Sequence, residues 1–244
     1  MRLALAAGLI ALSWLGASTQ AAAIPPVPLP VVVEHAPADA HAQPISLAKI
    51  VSDIPVGTPW ADFDAKSGVF GFICGTPISA GLTWQATGKE FDRATYGGIL
   101  SAELNAAGFA GDESADDLFK TRKIETDLLL AGNVKAIKAQ LCLRPTFFIQ
   151  PKGYNPPPLG SADLDQALGW ISYTIEWEVY SKSQDKVIFK TVTQGGLSFP
   201  KPAPGNFARL VTGGVRENVR ILLGNADFRA LLLTEQAKPA VKAT

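Results

Sequence analysis

The chain has 244 residues, of which 47% are hydrophobic and 18% charged, and its 22 Lys and Arg residues balance 22 Asp and Glu residues. This composition excludes a disordered polyelectrolyte and a coiled coil, and the length suffices for one domain with a substantial core. The balanced charge gives no support to nucleic-acid binding, because phosphate recognition needs clustered cations.

Residues 1–23 have the pattern of a secretory signal peptide. Arg2 supplies the positive start, residues 3–15 form an apolar run, and Ala21–Ala23 are the small residues of a cleavage site. The run is shorter than the about 20 residues of a transmembrane helix, although a retained N-terminal anchor is the alternative. No cysteine follows the cleavage site directly, so we do not expect a lipoprotein. We predict a periplasmic protein whose mature chain has no transmembrane span.

Residues 24–45 are rich in proline and alanine and contain both histidines, His35 and His41. This composition predicts a semi-extended tether in which the two histidines are solvated. The folded domain is expected over residues 46–234, followed by a flexible tail over residues 235–244.

Within the domain, short strands are predicted over residues 68–74 and 82–86, where apolar residues are bounded by glycine and proline. Residues 90–107 have a helical stripe, and Gly108 stands where a helix-ending glycine belongs. Residues 127–143 are apolar in their first half and mixed in their second, as in a long strand. Residues 151–162 are a proline-rich loop.

The strongest pattern is a period of two along residues 171–180. Five apolar residues alternate with five polar ones, namely Ser172, Thr174, Glu176, Glu178 and Tyr180. Such alternation indicates a strand with one buried and one wet face, and residues 187–193 are its hairpin partner after a turn at 181–186. A helix over residues 204–223 and a short one over 226–233 complete a single α+β domain. We expect a mostly antiparallel sheet with two main helices on one face.

Cys74 and Cys142 are the two cysteines of the sequence. An exported chain meets an oxidising compartment, which favours a disulfide between them. Two buried free thiols are the alternative, and a redox pair is not expected because the Cys-x-x-Cys spacing is missing.

The residue inventory excludes several kinds of catalytic site. The predicted domain contains no histidine, which removes Ser-His-Asp and Cys-His catalysis and the usual zinc and iron sites. Gly88-Lys89 lacks the Ser or Thr of a phosphate-binding loop, and the acidic residues 111–117 lack the glycine and final glutamate of a calcium loop. We therefore expect no cofactor and no bound metal.

Carboxylates and tryptophans are the remaining candidates for a site. Glu176 and Glu178 share a strand face, which suits paired acids, but they also suit the polar side of a hairpin facing Lys190. Trp60 follows a proline in an irregular segment and is predicted, with Trp84, to be an exposed anchor for a ligand or partner.

The run from Ile54 to Leu223 resembles the non-catalytic N-terminal region of proteobacterial periplasmic trypsin-like serine proteases. The resemblance rests on Ile54-Pro55-x-Gly57, on the Cys74 segment, on the helix ending at Ala107-Gly108-Phe109, and on Asp127-Leu128-Leu129-Leu130-Ala131-Gly132-x-Val134 followed by Cys142. It continues with Trp177-x-Val179-Tyr180, Val187-x-Phe189 and Thr193-x-Gly195. More loosely, the chain is similar to envelope assembly domains of the curli-secretion and auxiliary-lipoprotein kind. The resemblance implies a helix-on-sheet domain that makes protein contacts and has no catalytic machinery.

These observations together predict a non-enzymatic module that binds another envelope protein. The docking surface would be the wet face from Ser172 to Tyr180 or the free edge of the hairpin. A periplasmic small-ligand binding protein, with a pocket between sheet and helices, is the second hypothesis. A hydrolase built on Glu176 or Glu178 is the third.

Overall fold

The structure is a computed structural model, and it describes residues 31–37, 42–67, 73–85, 92–109, 126–143, 165, 167–201 and 203–233, with backbone alone for 63–67, 73–81 and 143. It confirms a single α+β domain. The strands are β1 (Ile45–Ser52), β2 (Pro59–Ser67), β3 (Ile73–Thr83), β4 (Leu128–Leu143), β5 (Leu168–Ser181) and β6 (Lys186–Phe199). The helices are α1 (Arg93–Ala106), α2 (Asn206–Gly224) and α3 (Ala226–Leu233).

The six strands form one mixed sheet in which β4 holds the central place. Its one side pairs with β5 along nearly its whole length, in antiparallel orientation. Its other side is divided, since β1 pairs in parallel with residues 128–134 and β2 pairs in parallel with residues 139–143. β3 lies outside β2, and β6 lies outside β5, both in antiparallel pairs. β6 is therefore an end strand of the sheet.

The helices cover one face of this sheet because the side chains that point to that face are apolar. On β4 these are Leu128, Leu130, Val134, Ile137, Ala139 and Leu141, all buried. Asp92 caps the N-terminus of α1, and its carboxylate accepts hydrogen bonds from the N–H groups of Ala94 and Thr95. A carboxylate that receives N-terminal N–H groups satisfies donors that the helix itself leaves unpaired.

Helix α2 approaches the sheet closely at two glycines. A Cβ atom on Gly214 would lie 2.5 Å from the ring of Tyr173, and one on Gly213 would lie 2.4 Å from Leu197. On the sheet, the indole of Trp177 covers Gly132 in the same way, since a Cβ atom on that glycine would lie 2.9 Å from the ring. These contacts fill the layer between sheet and helix with large side chains packed over glycine backbone.

The predicted elements from residue 90 onward correspond closely to the observed ones. α1, β4, β5, α2 and α3 fall within a few residues of their predicted bounds, and β6 extends six residues beyond its predicted end at 193. The prediction named neither β1 nor β2. The predicted strands at 68–74 and 82–86 overlap the two ends of β3, and residues 68–72 and 86 lie outside the described residues. The loop at 151–162 and the signal segment lie outside the described residues.

The predicted tether also needs correction. Residues 31–37, which we call the strap, lie against the helical side of the domain, and Ala36 is buried there. Further along, the N–H of Gln43 donates to the carbonyl of Leu232 before β1 begins. The composition of this segment suggested a free arm, but backbone hydrogen bonds to the helices hold its described part in place. Among the described residues, no helix has the length and hydropathy needed to cross a membrane.

Candidate interaction surface

The alternation along β5 gives the sheet two chemically different faces. Ile171, Tyr173, Ile175, Trp177 and Val179 are buried under the helices. The predicted interaction residues Ser172, Thr174, Glu176, Glu178 and Tyr180 are all half-buried on the opposite side. We call this opposite side the outer face. No described helix covers the middle of it, because α2 packs on the other face of β5 and β6.

Charged side chains cross the outer face in a line that we call the charge ladder, formed by Asp53, Lys135, Glu176, Lys190 and Glu178. Lys135 Nζ lies 2.7 Å from Asp53 and 3.6 Å from Glu176. Lys190 Nζ lies 3.1 Å from Glu176 and 2.9 Å from Glu178. The ladder joins the segment after β1 to β4, β5 and β6 with alternating sign.

The hydrogen bonds of the ladder shift the pKa values of Asp53, Glu176 and Lys190. A hydrogen bond from Lys135 lowers the pKa of Asp53, and a hydrogen bond from Lys190 lowers the pKa of Glu176. The pKa of Lys190 is raised in turn, chiefly by its hydrogen bond to Glu178. A general acid needs the opposite, a carboxyl whose pKa is raised by burial. Glu176 therefore lacks the raised pKa of a general acid, and Glu178 lies 2.9 Å from Lys190 Nζ as an ion pair.

The outer face continues onto β6, where two exposed valines accompany Lys190 and Gln194. Val192, opposite Glu176, is 57% exposed, and Val187, opposite Tyr180, is 49% exposed. Because β6 ends the sheet, its far side has no partner strand among the described residues. Exposed β-branched residues on an unpaired 14-residue edge are features of a strand that accepts another chain.

The turn between β5 and β6 is held by local hydrogen bonds. Asp127 accepts the N–H of Ser183 at 2.7 Å and the hydroxyl of Ser181 at 2.9 Å. Tyr180 donates its hydroxyl hydrogen bond to Asp185, a residue with positive φ in the turn. These hydrogen bonds therefore anchor the turn between β5 and β6 to Asp127, the residue before β4.

The two tryptophans predicted to be exposed anchors are not exposed. Trp60 is half-buried and its ring lies 6.5 Å from that of Phe207, between the start of β2 and α2. Trp84 is also half-buried against the core, where its backbone pairs with Gly57 and Thr58. The irregular sequence around Trp60 suggested a loop, but β2 begins at Pro59 and places the indole under the N-terminal end of α2.

The cysteines stand on strands that flank β2. In the register, Cys142 of β4 lies opposite Asp64, and Cys74 of β3 lies opposite Lys66. Cys142 is buried, and the described residues include no free cysteine. The side chain of Cys74 lies outside the described residues, so the pairing of the two stays a prediction.

In the parts of the chain that the structure describes, no group of three His, Cys, Asp or Glu side chains could hold a metal ion. His41 and the acidic residues 111–117 lie outside the described residues. The layer in which the second hypothesis places a ligand is filled where α2 crosses β5 and β6, with Tyr173 against Gly214 and Leu197 against Gly213.

Sequence reasoning found the β5 half of this surface and missed the rest. Asp53 and Lys135 were not identified as members, because they come from a bend after an unpredicted strand and from a mixed stretch of β4. Lys135 stands between Val134 and Ala136, where the register of β4 is irregular. This irregularity is visible in the structure and has no signal in the local sequence pattern.

Comparison with known proteins adds structures of low similarity. No family model matches the chain, and no curated protein matches it. Protein XCC0632 from Xanthomonas campestris, of family-model DUF330, is 10% identical, with 83% of this chain and 92% of that chain covered and a TM-score of 0.35. The hypothetical protein CT253 from Chlamydia trachomatis is 10% identical, with 78% and 93% covered and a TM-score of 0.30. Lipoprotein GNA1162 from Neisseria meningitidis is 12% identical, with 72% and 96% covered and a TM-score of 0.26.

Likenesses of this size assign neither a family nor a function to the chain. None of the three descriptions names a trypsin-like protease, so the resemblance to the N-terminal region of such proteases stays a prediction. What the fold and the surface define is a class: a single α+β domain with helices on one sheet face, a charged opposite face and an edge strand that no other described strand pairs with.

Proposed function

We propose that this protein is an exported, non-enzymatic module that binds another protein of the cell envelope through the outer face and the edge of β6. The observation that carries the proposal is the juxtaposition of the unpaired edge with Val187 and Val192. An extended segment of a partner can add to β6 by main-chain hydrogen bonds, and the valines give it apolar contact.

The charge ladder supports a role in specificity. Its members are exposed enough to interact with a partner, and complementary charges across an interface contribute more to specificity and association rate than to affinity. A partner that places like charge against Glu176 or Glu178 would be rejected. The lowered pKa of Glu176, caused chiefly by its hydrogen bond from Lys190, keeps this carboxylate charged for such recognition.

Site-specific photo-cross-linking in intact cells tests the docking surface. A photoreactive residue replaces Val192 in one variant and Val56 in another, since these valines are 57% and 56% exposed but lie on different parts of the domain. We expect one dominant envelope protein to be captured from position 192 and not from position 56. Equal capture from both, or background alone, would reject β6 as the docking edge.

A charge reversal separates contact with the ladder from contact with the edge. The double substitution Glu176→Lys and Glu178→Lys should reduce capture at position 192 at least tenfold, because four of the five ladder positions then carry lysine. Lys138→Glu is the control, since Lys138 is an exposed lysine of the same face outside the ladder. An unaffected yield in the double variant would leave recognition to the β6 backbone and sink the role given to the ladder.

Export is tested by the N-terminal sequence of the protein recovered from the periplasmic fraction. We expect the mature chain to begin at residues 22–24, since cleavage occurs after small residues. A chain that still carries Met1 or Arg2 would mean that the first segment is retained as an anchor.

A further inference from the structure

The strap, residues 31–37, is held on the helical side mainly through its backbone. The N–H of Ala36 donates to the carbonyl of Ala107 at 2.8 Å, just after α1 ends. Val33 packs against the core, and Val31 lies 3.3 Å from where a Cβ of Gly224 would stand. Ala36 is 7% exposed, whereas Val32 is 90% exposed. Inward and outward residues thus alternate at the start of the strap, as in an extended peptide.

Arg229 of α3 is the second element of this contact. Its guanidinium donates to the carbonyl oxygen of Glu34 at 2.7 Å and reaches that of His35 at 3.5 Å. The same group lies 5.2 Å above the ring of Phe109, which is buried. A guanidinium held against an aromatic ring is pre-organised, so it can bind carbonyl groups with little loss of side-chain freedom.

Gly108 is the third element. Its φ of +78° belongs to the left-handed region, and a Cβ atom at this position would lie 2.4 Å from the His35 ring. The strap therefore passes over Gly108, just after the end of α1, where the missing side chain leaves room for the His35 ring. The groups that hold the strap, Ala107, Gly108, Phe109, Gly224 and Arg229, are called the seat below.

The seat contacts main-chain atoms, small or β-branched side chains and the ring of His35, all within seven residues, so it does not depend on a long sequence. We propose that the seat is a binding site for an extended peptide, that the strap occupies it in cis, and that the strap can be exchanged. The matching ligand has apolar residues at two alternate positions and a small residue three positions later, as at 31, 33 and 36. This site lies on the helical side, away from the outer face, and does not depend on the docking surface proposed there.

Hydrogen exchange of the exported full chain tests whether the strap is docked. Gly108→Ala introduces the clash with His35, and Gly57→Ala is its control, because Gly57 has φ +84° but a Cβ atom there would meet no atom within 4 Å. Both variants place an alanine at positive φ, but only Gly108→Ala also clashes with the strap. We therefore expect only Gly108→Ala to speed exchange of the Ala36 amide, by at least tenfold. An Ala36 amide that is unprotected in the unmodified protein would overturn the proposal.

Exchangeability is tested with a synthetic peptide of residues 31–37 and the full-chain variant Ala36→Pro, which lacks the N–H that bonds to Ala107. The peptide should bind this variant at least tenfold more tightly than the unmodified protein, and adding Arg229→Ala should abolish the difference. A peptide with proline at its sixth position is the matched control, because it lacks the same donor. Val33→Asp is a second strap variant, for use if Ala36→Pro does not fold.

Equal binding of the peptide to the unmodified protein and to the strap variant would show that the strap does not fill the seat. No binding to the strap variants at millimolar peptide would show that the strap is a fixed part of the fold, and either result overturns exchange.

Discussion

The hydroxyl of Thr193 donates a hydrogen bond of 2.7 Å to Asn218 Oδ1, which joins the edge strand β6 to the buried side of α2. The same hydroxyl accepts the indole N–H of Trp177 at 2.8 Å. The amide of Asn218 donates to the carbonyls of Gly214 and Gly195. Each polar group of this buried network thus has a partner, which is what makes it compatible with a core.

Replacing Thr193 by valine keeps the shape of the side chain and removes both hydrogen bonds. Trp177 and Asn218 would each retain an unpaired buried group, at about 1–3 kcal/mol apiece, so we expect a loss of about 2–6 kcal/mol in the free energy of unfolding. Thr191→Val is the control, because the hydroxyl of Thr191 makes no hydrogen bond within the described residues. Urea unfolding measures both, and equal losses would contradict the role of the network.

Alanine substitution should change stability in opposite directions at two helical glycines. A Cβ atom on Gly97 of α1 meets no atom within 4 Å, so Gly97→Ala should stabilise by about 0.5–1 kcal/mol. A Cβ atom on Gly214 of α2 meets the Tyr173 ring at 2.5 Å, so Gly214→Ala should destabilise by about 1–3 kcal/mol through overpacking. Thermal and urea unfolding report both values. A stabilising Gly214→Ala would mean that α2 does not approach the sheet this closely.

Acid should weaken the charge ladder in a defined direction. Folding lowers the pKa of Asp53, chiefly through Lys135, and that of Glu176, chiefly through Lys190, from the ordinary values of 3.8 and 4.5. Their contribution to stability is therefore present above those ordinary values and is lost as pH falls through the lower pKa of the folded state. We expect this loss of stability to occur below about pH 4. It should be smaller at high salt, because Asp53 is exposed and Glu176 is only half-buried.

Carboxyl titration by NMR checks the assignment residue by residue. Lys190→Met should raise the pKa of Glu176, whereas Lys138→Met should leave it unchanged, because Lys138 is outside the ladder. If both variants give the same pKa for Glu176, the ion pair with Lys190 does not form in solution.

Non-reducing peptide mapping tests the bridge between Cys74 and Cys142. β3 and β4 lie on either side of β2, and in a flat sheet such strands are about 9.5 Å apart. A disulfide needs Cα atoms within about 7 Å, so the bridge requires this end of the sheet to curl. We expect one linked peptide pair and a loss of about 4 kcal/mol on removing it.

Single and double serine variants give an independent check of that bridge. If the cysteines are joined, Cys74→Ser, Cys142→Ser and the double variant lose the same free energy, because the first change already breaks the bond. Additive losses, or labelling of both thiols in the unfolded chain without reductant, would show that the two are separate.

The sequence by itself determined the elements whose burial follows a local period. Along β5, five buried residues alternate with five half-exposed ones, and in α2 the residues Val215, Val219 and Leu222 lie on one buried side. Each such element contains its own signal, because side-chain direction repeats every two residues in a strand and every 3.6 in a helix. The α+β class and the polar face from Ser172 to Tyr180 could be predicted for that reason.

The tertiary structure alone decided which segments meet. β1 and β2 share one side of β4, the ladder joins Asp53 to a lysine 82 residues away, and Arg229 bonds to a carbonyl 195 residues earlier. Trp60 packs against the core for the same reason, because the ring it lies beside, Phe207, is far along the chain. Such contacts have no local period, because they depend on strand order and on where the helices pack. The strap is the clearest case: it belongs to a proline- and alanine-rich segment whose composition predicts an open chain. The Ala36 N–H bonded to Ala107 and the Glu34 carbonyl bonded to Arg229 hold it on the domain.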